Sequence, residues 1–143
     1  MKVRAAGLLV HDGAVLLVEH RKGDRSYWLL PGGGVHLGER LKDSLKREFQ
    51  EELTIRVEPG DLVFVAETSS PEGEHILQPV FSVTDVSISE MRLGTDERVA
   101  GFRFFTPEKL DEVVIYPNTK DELRQYLASG RVNCRYVLKQ WLD

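Results

Sequence analysis

Between Glu39 and Leu53 the chain contains neither proline nor glycine, and Leu41, Leu45, Phe49 and Leu53 recur at every fourth position. That spacing gathers one apolar stripe on one side, so the segment predicts an amphipathic helix that must lie against an apolar surface. The same helix carries Glu48, Glu51 and Glu52, and it follows Gly32-Gly33-Gly34. Any fold for this chain has to set a carboxylate cluster beside a core-facing stripe, close to backbone that is almost bare of side chains.

The rest of the sequence supplies the surface. With 143 residues, 41% hydrophobic and 29% charged, the chain suits one buried core and is expected to be a single globular domain over residues 1–143. No internal repeat, low-complexity tract or long linker divides it. Two apolar runs, residues 3–10 and 14–19, flank His11-Asp12-Gly13, and Asp-Gly between such runs predicts a hairpin pairing them. Tyr27 to Leu30 reads as a short strand stopped by Pro31, and residues 32–38 as an exposed loop. Residues 61–67, 76–86 and 98–105 are rich in Val, Ile and Phe and read as further strands. Thr106-Pro107-Glu108 predicts a short helix with a threonine cap, and a later helix spans residues 119–127, ending near Gly130. This order of elements implies an α/β fold, a mixed β-sheet with helices on its faces in an α/β/α arrangement.

Charge and cysteine content limit the function. The formal charge of −4 gives no general reason to bind long nucleic acid, whose phosphates reward clustered Lys and Arg. An anionic substrate would need some other attraction. Cys134 is the single cysteine, so no intramolecular disulfide or cysteine zinc site is expected, and it reads as a buried or half-buried structural thiol. No run reaches the roughly 18 apolar residues of a membrane span. Residues 1–4 lead directly into the first strand pattern, which points to a cytoplasmic protein without a membrane partner.

Glu48 and Glu52 lie one helical turn apart, with Glu51 flanking them. Two readings follow from the helix alone: a solvated acidic face, or a partly buried cluster that requires positive charge. Arg47 and divalent cations are the two candidate sources of that charge. The glycines favour the second reading, because they allow close backbone approach and their carbonyls are hard-cation ligands. Oxygen ligands from loop and helix suit Mg²⁺ or Mn²⁺.

Gly33, five residues, Glu39, seven residues and then Arg47-Glu48-Phe49-Gln50-Glu51-Glu52 resemble the signature box of the Nudix hydrolases, continuing to Ile55. Thr54 stands where the box usually has glycine, and Phe49 where it usually has an aliphatic residue. The resemblance implies a Nudix-like α/β/α sandwich in which Glu48, Glu51, Glu52 and the carbonyl of Gly32 hold divalent metal, while Glu39 pairs with Arg47 to orient the helix. It implies hydrolysis of a nucleoside diphosphate linked to another group X, yielding a nucleoside monophosphate and phospho-X, by in-line attack of water. Glu52, Glu48 and an acid of the turn before residue 98, Asp96 or Glu97, are the candidates for general base. Gly94 to Glu97 also reads as an ordinary turn.

Substrate choice lies outside the box. Pro71, sixteen residues after Ile55, is placed as in members that cleave ADP-ribose, which favours ADP-ribose or a nucleotide sugar, although residues 69–73 are also a plain turn sequence. Nucleoside triphosphates and dinucleoside polyphosphates stay open, as do a non-catalytic nucleotide sensor and an RNA-end-processing enzyme. Arg21, Lys22 and Arg25 are candidates for receiving phosphates, and Tyr27 or Trp28 for stacking on a base. His36 lies in the glycine loop within reach of a phosphate, while His11, His20 and His75 lack ligand spacing; all four read first as structural or solvated. The apolar tail, with Tyr136, Val137, Leu138, Trp141 and Leu142, has two destinations: its own sheet, or a second subunit of a homodimer.

Overall fold

A computed structural model describes residues 1–85 and 88–140. Its strands are β1 (Lys2–Leu8), β2 (Val10–His11), β3 (Ala14–Lys22), β4 (Arg25–Leu29), β5 (Gly32–Gly34), β6 (Val57–Ser69), β7 (His75–Asp85), β8 (Val99–Phe105) and β9 (Tyr136–Leu138). The helices are α1 (Leu41–Leu53) and α2 (Lys120–Ser129), with 3-10 turns at Ile88–Glu90 and Pro107–Glu112. One mixed sheet runs β5-β1-β7-β6-β9, with β1 parallel to β7 and β9 parallel to β6. In the second, β3 pairs antiparallel with β2, β4 and β8. The result is an α/β/α sandwich.

Strand β3 shows why its sequence lacks polar alternation. Val15 and Leu17 enter one apolar cluster with Phe64, Val80, Phe105 and Leu123. Leu16 and Val18 enter another with Leu45, Phe49, Leu53 and Val83. A strand buried on both faces reads as a continuous apolar run. The stripe of α1 fills the second cluster, as its period required.

Several expectations change. The first apolar run does not pair as one hairpin strand: it breaks at Leu9, so that β1 joins β5 and β7 while only β2 turns back onto β3. Residues 32–34 are a buried or half-buried strand and not an exposed loop, because β5 pairs with Arg4, Ala5 and Ala6 of β1. The strand expected at residues 61–67 runs from Val57 to Ser69 through irregular register near Leu62. Of the strand expected at residues 76–86, Val86 lies outside the described residues. Thr106 precedes the 3-10 turn in an extended conformation, but its side chain accepts no capping hydrogen bond. Cys134 is exposed, since its segment crosses the surface between α2 and β9. The tail adds β9 to the edge of its own sheet, leaving Tyr136 and Leu138 exposed; Trp141 and Leu142 lie outside the described residues. Among the described residues no helix is long and apolar enough to cross a membrane.

Candidate functional site

Strand β5 lies so close to β1 on one side and to helix α1 on the other that its first two residues are glycine. Gly32 has φ of 150°, and a Cβ there would fall 2.0 Å from the Ala5 carbonyl oxygen. At Gly33 a Cβ would lie 2.5 Å from the carboxylate of Glu48. The space a side chain would take is thus filled by an acid of the helix. Gly32 N–H donates to Glu52 Oε1 at 2.8 Å.

The three carboxylates differ in exposure. Glu48 and Glu52 are buried, at 4% and 2% exposed, whereas the Glu51 side chain is 44% exposed. Arg47 supplies the local positive charge. Its Nε and Nη2 donate to the two oxygens of Glu39 at 2.9 and 3.0 Å, and its Nη1 donates to Glu48 Oε1 at 2.9 Å and Glu51 Oε2 at 3.3 Å. These bonds, with the His36 N–H, hold the Glu39 carboxyl down to about 2. They also raise the basicity of Arg47, with Glu39 the largest contributor. Glu48 Oε2 is buried without a hydrogen-bond partner. Burial pushes Glu52 up to about 8, helped by Glu48 and Asp96 and opposed by Arg4 and the Gly32 N–H.

The end of α1 explains how a distant turn reaches this cluster. The helix stops at Thr54, which takes the left-handed conformation with φ of 59°. Arg92, Gly94 and Asp96 then donate their N–H groups to the carbonyls of Leu53, Glu52 and Glu51 at 3.1 to 3.2 Å, satisfying groups a helix end leaves unpaired. Gly94 has to be glycine, because a Cβ there would sit 2.2 Å from the Glu51 oxygen. This wrapping turns Asp96 inward, with its side chain 10% exposed and held by Arg98 Nε and Nη2 at 3.0 and 2.8 Å. Glu97 is exposed, so the turn presents Asp96 and not Glu97 to the acidic cluster. The bonds from Arg98 lower the pKa of Asp96.

Arg4, with Gln78 behind it, and His20, which reads from the sequence as structural or solvated, lie near these acids. Arg4, 8% exposed, donates to Gln78 Oε1 at 2.8 Å and to the carbonyls of Leu30 and Gly32 at 2.9 and 3.2 Å. Gln78 is itself buried. His20, following a register shift in β3, has a buried Nε2 without a partner, and burial with Arg4 and Arg98 nearby lowers its pKa to about 4. A lone arginine or glutamine inside an apolar strand was the available signal for the first two.

Of the candidate substrate residues, Lys22 pairs with Arg25 across the β3–β4 hairpin and lies 3.7 Å from Glu72, beside Pro71. Arg25 is exposed at the start of β4. Trp28 is half-buried, packed edge-on against Phe105 at 5.0 Å with Arg103 over its ring, which makes it part of the wall of the core and not a free platform. Pro71 is exposed in a turn closed by Ser70 N–H to the Glu74 carbonyl. Tyr27 stacks on Tyr116 at 4.4 Å and lies near His20.

The NUDIX domain family model matches residues 1–128. An ADP-ribose pyrophosphatase of Methanocaldococcus jannaschii is 29% identical over 103 residues, 70% of this chain and 60% of that protein. A nucleoside triphosphatase of Escherichia fergusonii is 47% identical over 49 residues, 32% of this chain and 35% of its own. The crystal structure of a NUDIX hydrolase from Nitrosomonas europaea superposes with a TM-score of 0.76 at 21% identity, covering 97% of this chain and 78% of that one. The chain spans about three fifths of the length of the M. jannaschii protein. The match over residues 1–128, on a fold that brings glycine strand and acidic helix together, shows that this chain belongs to the NUDIX domain family.

Proposed function

We propose that the protein hydrolyses the pyrophosphate of a nucleoside diphosphate linked to a second group, releasing a nucleoside monophosphate and phospho-X, with divalent metal as cofactor. The observation that carries this reading is the burial of Glu48 and Glu52 side by side with Glu48 Oε2 unpartnered. A buried carboxylate oxygen without a partner is expensive unless something positive binds it. Among the described residues no three acidic, histidine or cysteine side chains already converge as a metal cage. The donor set nevertheless suits a hard cation, because Arg47 and Gly32 engage Oε1 of Glu48, Oε2 of Glu51 and Oε1 of Glu52, one oxygen of each.

Glu48, Glu51, Glu52 and the Gly32 carbonyl would hold Mg²⁺ or Mn²⁺, which neutralises charge on phosphate oxygens and lowers the pKa of bound water. Arg47 and Glu39 hold the helix in register with β5 through their paired bonds. Glu52 and Glu48 are the bases in place to take a proton from water, and Asp96 is a third acid already committed to Arg98. ADP-ribose is the first substrate to test, since a relative covering 70% of the chain is named for it. The nucleoside triphosphatase match covers 32% of the chain, so it supports shared chemistry more than a shared substrate.

The test is product release from ADP-ribose, nucleotide sugars, nucleoside triphosphates and dinucleoside polyphosphates with Mg²⁺ or Mn²⁺, comparing wild type with Glu52→Gln. Metal-dependent cleavage of ADP-ribose that collapses in the variant is the expected result. Preference for triphosphates would move the substrate assignment. No turnover, with nucleotide binding that ignores both metal and mutation, would make the chain a sensor.

A further inference from the structure

Arg4 lies where an apolar residue would be the simpler choice. It belongs to the face of β1 that continues with Ala6 and Leu8 into the apolar core, beside Val80 of β7. Moving a guanidinium out of water costs several kcal/mol unless its donors are well satisfied, and replacing buried charged groups by apolar ones is often stabilising. Its hydrogen-bond partners are the Gln78 carboxamide and two carbonyls, not a carboxylate. Burial lowers its basicity, and the nearby charges of Glu52 and Glu48 favour its protonated form. Stability of the sheet gives no reason for this arrangement.

The partners do supply a reason. Arg4 Nη2 reaches the carbonyls of Leu30 and Gly32, one on each side of Pro31. The Pro31 carbonyl accepts from Gly7 N–H at 2.9 Å, and Gly32 N–H is directed to Glu52. Three successive carbonyls are therefore fixed from β1, and the amide they orient meets a buried acid of α1. We infer that Arg4, braced by Gln78, is a positioning residue of the reaction centre, holding Gly32 so that its N–H meets Glu52 and its carbonyl keeps a lone pair for a divalent cation. This rests on the metal-dependent reading proposed above.

The experiment is Mn²⁺ binding by electron paramagnetic resonance on the full chain. Wild type, Arg4→Lys, Arg4→Met and Gln78→Leu are compared, with circular dichroism and with kcat and KM measured separately. Lysine keeps the charge but cannot span two carbonyls and a carboxamide in a planar fork. Both Arg4 variants are therefore expected to lose about tenfold or more in Mn²⁺ affinity and to lower kcat, with KM for nucleotide little changed. Gln78→Leu, which removes only the brace, is expected to shift both quantities less and in the same direction, and it decides the matter if the Arg4 variants do not fold. Folded variants that bind Mn²⁺ as wild type does would overturn this inference alone. Tighter binding by Arg4→Met with Arg4→Lys unchanged would also overturn it, leaving Arg4 only an electrostatic influence. Failure of wild type itself to bind Mn²⁺ would remove the metal reading and this inference together.

Discussion

Among the described residues, helices α1 and α2 both bury glutamate and both end on a left-handed residue, yet they treat these features differently. In α2, Glu122 faces the Lys139 ammonium at 3.0 Å, close enough to neutralise its charge although not aligned as a hydrogen bond. That helix ends on Gly130, for which φ of 73° carries no steric penalty. In α1, two buried glutamates share one arginine and one backbone amide, one oxygen is left over, and the terminal residue is Thr54. Matched charge and a relaxed end mark a helix that only packs. Unmatched charge and a strained end collect where a ligand is expected.

The largest test of that contrast replaces each acid by its amide. Glu52→Gln is expected to lower hydrolysis by about 100-fold or more, with thermal stability unchanged or raised, because a neutral amide is easier to bury than a carboxylate. Glu122→Gln is expected to leave the rate within about twofold while destabilising the fold by roughly 1 to 3 kcal/mol, as Lys139 loses its partner. Steady-state kinetics and denaturant titration read both, and equal rate losses would erase the distinction between the helices. Next in size is the pair of helix-end glycines. Gly94→Ala drives a methyl against the Glu51 carbonyl and should destabilise by about 2 to 3 kcal/mol while loosening Asp96. Gly130→Ala meets nothing within 4 Å and should lose only about 1 kcal/mol, the cost of a left-handed alanine.

Helix α1 was legible because its signals are local: a four-residue apolar period, an absence of breakers and acids at fixed offsets. The pairing of Glu39 with Arg47 came from the resemblance to the Nudix box and not from the helix period, and the two side chains are hydrogen-bonded. What could not be read was long-range. The break at Leu9 that sends β1 and β2 to different sheets depends on which partner covers each face, and a period of two cannot show that. Arg4 and Gln78 are 74 residues apart and meet only because β1 lies parallel to β7. Asp96 was named with Glu97, but choosing between them required knowing that residues 92–96 bind the carbonyls at the end of α1. The glycine stretch was read as a loop because three glycines carry no strand signal; its pairing comes from the β1 backbone.

Two smaller effects sharpen the comparison. If Thr54 is strained as Gly130 is not, Thr54→Gly should stabilise the protein by about 1 kcal/mol without altering the rate, measured by denaturant midpoint. An unchanged or lower midpoint would mean that the turn from Arg92 to Asp96 already compensates for the strain. The smallest effect asks whether the charge gathered at the end of α1 reaches across to β3. His20 is held neutral in the fold, its pKa lowered to about 4 by burial and then by Arg4 and Arg98, against the opposing pull of Asp96. An unfolded histidine takes its proton near 6.5. As pH falls from about 6.5 towards 4 the unfolded chain therefore gains a proton that the folded chain refuses, so stability declines across that window and is fully restored above it. His20→Gln removes this contribution, and its melting temperature should fall less steeply than that of wild type between pH 7 and 4.5. Parallel curves for the two proteins would show that His20 titrates alike in both states, and that the influence of Arg4 and Arg98 stops short of β3.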